Sequence, residues 1–126
     1  MNRNDHISEA TNMMTIHERF QSGAVILSVK ASVLSDIDVD MIKTIIRSHL
    51  NSGVKQLVLD FAHVRHLNSL GIGILLHARS AMKAVKGELR IAGMNEDALL
   101  ILRRTALNKY FPVYQSVDRA LQFQPG

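Results

Sequence analysis

The 126-residue chain contains no cysteine. Disulfides and thiolate chemistry are therefore excluded, and a reducing cytoplasm is the expected compartment. Aromatic side chains make up only 5% of the residues. A nucleic-acid surface interleaves aromatics with concentrated positive charge. Here the net charge of +4 comes from lysines and arginines scattered along the chain, so no nucleic-acid partner is expected. Long hydrophobic runs are missing as well, none approaching the ~20 apolar residues that cross a bilayer. The polar opening Met1-Asn2-Arg3-Asn4-Asp5-His6 does not read as a signal peptide, so no membrane insertion is expected. Internal repeats and linker-like stretches are also lacking.

What is present is ordinary globular composition, 47% hydrophobic and 21% charged, enough for one domain with its own core. Residues 1–12 read as a flexible terminus and residues 13–126 as the domain. Met13 to Phe20 predicts an edge strand, Gln21-Ser22-Gly23 a tight turn, and Ala24 to Val29 a second, more apolar strand, together a hairpin. A helix capped by Ser35 or Asp36 follows. Its stripe is Val39, Ile42, Ile46 and Leu50, and Gly53 suits its left-handed terminus. Lys55 to Phe61 reads as a central strand, apolar on both faces. A turn then leads into a helix from Leu70 to Lys86, ended by Gly87. Glu88 to Ala92 is the next strand. Asn95 caps a helix whose buried side is Ala98, Ile101, Leu102 and Thr105, with Leu107, Tyr110 and Phe111 closing against the core. Pro112 opens a short strand, Val113 to Gln115, and Ser116 caps a last helix, Val117 to Phe123. Strands joined by helices run parallel. The expected fold is α/β: a mixed, mostly parallel sheet with an antiparallel N-terminal hairpin, packed with about four helices.

The hexapeptide Asn68-Ser69-Leu70-Gly71-Ile72-Gly73 sits at the carboxyl end of the central strand, where α/β folds place their sites. A hydrolase elbow needs glycine two residues before its serine, and Leu67 stands there. Gly71-x-Gly73 lacks the third glycine of a dinucleotide fingerprint, Leu76 taking its place. His63, His66 and His77 have no carboxylate at ligand spacing. They read as rim histidines. No catalytic constellation, metal or cofactor is expected, and so no enzyme. Ser69 reads first as the cap of the helix beginning at Leu70, and second as a phosphorylation target. Helical phase turns Gly71, Ala78, Met82 and Val85 inward, and Ile72 and Leu76 outward in line with Arg79 and Lys83. An apolar centre with a charged rim reads as a protein interface. Leu99 and Leu100 fall off the core face of their helix, where they extend that patch or pack under a loop.

Asp60 followed by Asn68-Ser69-x-Gly71-Ile72-Gly73 resembles the signature of STAS domains, the family of bacterial anti-sigma factor antagonists. The stretch Asn95 to Ser116 is similar too, notably Leu102, Thr105, Leu107 and Phe111-Pro112-Val113-Tyr114. The resemblance implies a non-enzymatic regulator of transcription whose partner is an anti-sigma factor or switch kinase. Homodimer formation stays open. With the outward face read from helical phase, the expected contact residues are Asn68, Ser69, Leu70, Gly71, Ile72, Leu76, Arg79 and Lys83. The resemblance also exposes a departure. In phosphorylatable members the accepting Ser or Thr directly precedes Gly-Leu-Gly, and that position is Leu70, which has no hydroxyl. Asn68 replaces the usual aspartate, and Ala31-Ser32-Val33-Leu34 stands where relatives often carry Gly-x-Leu-Asp. Binding without the usual phosphoswitch is expected, with Ser69 as the substitute acceptor nearby. The alternative is a scaffold or accessory subunit of a stress-signalling or lipid-transport complex.

Overall fold

The computed structural model describes residues 13–122. The expected flexible terminus and the end of the last helix at Phe123 lie outside them. Strands β1 (Thr15–Gln21) and β2 (Ala24–Ala31) form the expected hairpin, antiparallel from Gln21↔Ala24 to Thr15↔Lys30. Both residues of its two-residue turn are left-handed, Ser22 at φ 54° and Gly23 at φ 80°. That geometry matches the right-handed twist of the flanking strands.

Helix α1 (Asp36–Asn51) is capped by Ser35, not Asp36. The Ser35 hydroxyl accepts from the Asp38 amide, and the Asp38 carboxylate accepts from the Ser35 amide, a reciprocal box. Ile42 and Ile46 are fully buried beneath it, with Val39 and Leu50 half-buried. Strand β3 (Gln56–Val64) follows and runs three residues past its expected end at Phe61. Pairing to β2 carries it on. The register shifts between Ser28↔Asp60 and Lys30↔His63, after which the Arg65 and His66 amides donate to the Ala31 and Ser32 carbonyls.

Helix α2 (Ser69–Ala84), β4 (Glu88–Ala92), α3 (Glu96–Arg104), a 3-10 turn at Asn108–Tyr110, β5 (Val113–Tyr114) and α4 (Val117–Gln122) complete the chain. The sheet order is β1-β2-β3-β4-β5, with every pair after the hairpin parallel. Gly87 follows α2 for a reason other than its dihedrals, since Lys86 takes the left-handed position at φ 59°. A Cβ on Gly87 would lie 2.7 Å from both the Lys55 carbonyl oxygen and Met82 Cε.

The two faces of the sheet are unequal. On one, side chains of α1, α2 and α3 pack over Val25, Leu27, Leu57, Leu59, Phe61 and Ile91. On the other, among the described residues, α4 alone lays Ala120 over Ala24, Ile26, Val58 and Ala92. The central strand is thus covered on both sides. Arg90 is buried on the thinner face, donating to the Ala120 carbonyl and to the Glu88 carboxylate. Two expected core residues are outside. Thr105 ends α3, where its hydroxyl donates to the Ile101 carbonyl instead of packing. Tyr110 is 47% exposed, and Phe111 fills the core in its place. Among the described residues no helix is long and apolar enough to cross a membrane.

Candidate functional site

The turn between β3 and α2 is built on Asn68. Its extended backbone precedes the helix, and its Oδ1 accepts from the Gly71 amide at 2.9 Å. Its Nδ2 donates to the Leu34 carbonyl, also at 2.9 Å. One side chain therefore caps α2 and pins the loop that leaves β2. This corrects the expected role of Ser69. Asparagine caps as well as serine does, and its donor end reaches a second partner that a hydroxyl on Ser69 cannot. Ser69 becomes the first helical residue, exposed, with no hydrogen-bond partner for its hydroxyl among the described residues.

The next residues divide between core and solvent. Leu70 is half-buried against the core. Gly71 is buried, and a Cβ there would come within 2.7 Å of Leu67 Cδ1. Ile74, Leu75, Ala78 and Met82 complete the inward stripe, while Val85 is only half-buried at the helix end. Ile72 and Leu76, expected as an exposed pair, are separated. Ile72 is half-buried and packs on the core, while Leu76 is 43% exposed. The outermost stripe is Ser69, Gly73, Leu76, Ser80 and Lys83, all exposed. Around Gly73 there is open space: an added Cβ would meet nothing within 4 Å.

Arg79 leaves that stripe. Its Nε donates to the Tyr110 carbonyl at 3.2 Å, and its guanidinium lies 5.0 Å over the Tyr110 ring. Of the expected extension, Leu99 packs on the core and Leu100 remains exposed. His77 faces α1, half-buried. Burial, then the charges of Lys43 and Arg47, push its pKa below the ordinary 6.5. His63 and His66 are exposed. Among the described residues no three His, Cys, Asp or Glu side chains are grouped to hold a metal.

Sequence reasoning missed the work of Asp60. Its carboxylate accepts from the Ser28 hydroxyl at 2.8 Å and the Ala62 amide at 3.0 Å, tying β2 to β3 at the register shift. It also missed exposed Ile37 and Met41 on α1. Their phase outside the stripe of Ile42 and Ile46 was the available signal.

The sequence profile of the STAS domain matches residues 15–120. An anti-sigma factor antagonist from Mycobacterium paratuberculosis superposes with a TM-score of 0.77 at 21% identity, covering 89% of this chain and 94% of its own. The phosphorylated form of the Bacillus cell fate determinant SpoIIAA gives 0.68 at 14% identity, covering 86% and 97%. A sulfate transporter family protein from Wolinella succinogenes gives 0.69 at 16% identity, covering 82% and 86%. At these identities the likeness is one of fold. No curated protein sequence matches that of the chain.

Proposed function

The chain belongs to the STAS domain family, and from that premise we propose that it is a non-enzymatic regulator resembling an anti-sigma factor antagonist, with an anti-sigma factor or switch kinase as its protein partner. The observation that carries this reading is Gly73. Glycine in an exposed helix interior costs about 1 kcal/mol relative to alanine. No described residue requires it, since a Cβ would meet open space. Bare helix backbone flanked by Ser69, Leu76 and Ser80 suits the close approach of another protein's main chain. Leu76 supplies the apolar centre and Lys83 a charged end.

Leu70 decides the regulation. It carries no hydroxyl and packs inward, so a partner kinase finds no acceptor in the slot before Gly71. The complex then persists in the presence of ATP, holding the kinase and freeing its sigma factor in the bacterial cytoplasm. Isothermal titration with a cognate anti-sigma kinase tests this. Binding should be unchanged by ATP and weakened by Leu76→Asp, a hot-spot loss of about 2 kcal/mol. Failure to bind any anti-sigma factor of the host, with stable association with a transporter complex instead, would favour the accessory-subunit reading.

A further inference from the structure

At the other end of α2 a groove of about 480 Å³ opens along the outer edge of β4. That volume is in the range of ligand-binding clefts. The groove exists because β5 is only two residues long and pairs with Ile91 and Ala92 alone. Among the described residues, the first three residues of β4 have no strand on their outer side. Hydrogen-bond directions fix which groups face out. The Glu88 amide donates inward to the Lys55 carbonyl, whereas the Ile91 and Gly93 amides donate outward to the Pro112 and Tyr114 carbonyls. Strand alternation therefore turns the Leu89 N–H and C=O outward, into the groove. An edge backbone of this kind is a template for another strand.

The walls say what kind of strand. Met82, Tyr110 and Pro112 give apolar contact, and Arg79 and Lys83 line the α2 side. Glu88 is the carboxylate of the lining, and the Arg90 guanidinium holds it at 3.0 Å. Neither Arg79 nor Lys83 has a carboxylate partner among the described residues. Arg79 is already fixed by its contacts with the Tyr110 carbonyl and ring, so little orientational freedom remains to be lost on binding.

We propose that this groove is a second docking site, taking an extended acidic segment of a partner protein as an added strand beside β4. The segment's main chain pairs with Leu89. The residue beside Leu89 points to the same face, where Leu89 itself is buried, and lays an apolar side chain on Met82 and Tyr110. Because alternate residues share a face, a carboxylate two positions on, beside Gly87, reaches toward Lys83 and the α2 side of the groove, while in the other direction the strand turns away where β5 pairs with Ile91. The site does not depend on the reading of the Ser69–Lys83 stripe.

The test uses three fluorescein-labelled peptides: acetyl-Glu-Thr-Val-Thr-Glu amide, its N-methyl-valine form, and the version with lysine for glutamate. Fluorescence anisotropy should show saturable binding of the first alone, and the Leu89 amide should shift in proton–nitrogen NMR spectra. Lys83→Glu should weaken binding about fivefold or more, as loss and reversal of a steering charge does. Leu76→Asp should leave it unchanged, which separates this site from the proposed partner surface. Equal binding by the lysine or N-methyl peptide, an unmoved Leu89 amide, or no saturable binding of the acidic peptide would each overturn the proposal.

Discussion

Asn68 carries an acceptor and a donor on one side chain, and the turn before α2 uses both ends. Asn68→Ala removes a cap and orphans the Leu34 carbonyl together, so urea denaturation should report a loss of about 1–2 kcal/mol. Asn68→Asp keeps the acceptor but turns a donor into a second acceptor facing the Leu34 carbonyl, and should recover only part of that loss. One residue on, the free Ser69 hydroxyl and the inward Leu70 predict opposite fates in a kinase assay. Wild-type protein should gain no phosphate at residue 70, whereas Leu70→Ser should gain one with the cognate kinase and ATP, read by mass spectrometry. Stoichiometric phosphate on wild-type Ser69 would mean that the switch has moved by one position. His77 makes a third test. Its folded pKa lies below the ordinary value of 6.5, so below pH 6.5 the unfolded chain binds the proton more readily. Stability should therefore fall as pH drops through 6.5 toward the lower folded value. His77→Gln should remove that part of the slope in melts recorded across the window.

Elements whose pattern is a property of their own residues were legible from the sequence. Glu88–Ala92 and the turn at Ser22-Gly23 are examples, as is the buried stripe of Ile42 and Ile46. What was not legible depended on a second element. β3 outran its apolar core because Ala31 and Ser32 supply carbonyls to it. Ile72 looked exposed by helical phase, yet it packs on the core cluster. Separate substitutions should now tell Ile72 and Leu76 apart. Ile72→Ser should cost about 1–2 kcal/mol for a half-buried aliphatic, and Leu76→Ser only a few tenths as a surface change. Gly87→Ala offers a sharper case. Its Cβ would strike the Lys55 carbonyl, which belongs to backbone and cannot swing aside. A loss of about 1–3 kcal/mol is expected, as for an overpacked contact. An unchanged melting temperature would mean that the start of β4 yields more readily than its spacing implies.

At the scale of the molecule the described sheet has one thick side and one thin one. That asymmetry was hidden in the sequence, because a strand covered on both faces reads as apolar whether three helices lie over it or one. The thin side rests on α4, whose six described residues fall well short of the ~12–15 that hold a helix in isolation. It is kept in place by a small cluster around Ala120 and by the bond from Arg90 to the Ala120 carbonyl. When α4 lifts away, apolar contact with Val58 and Ala92 is lost, but the buried Arg90 guanidinium regains water, which lowers the cost of opening. The three-helix side need not move. The chain should then exchange its amide hydrogens in two tiers. Those of Ala120 and its neighbours, with the Gly93 amide that joins β4 to β5, would exchange through an opening smaller than global unfolding. Those of Leu57 to Leu59 would wait for the whole domain. Hydrogen exchange followed at rising sub-denaturing urea would separate the tiers, and a single common opening energy would show that six residues of helix are bound as tightly as the sheet they cover.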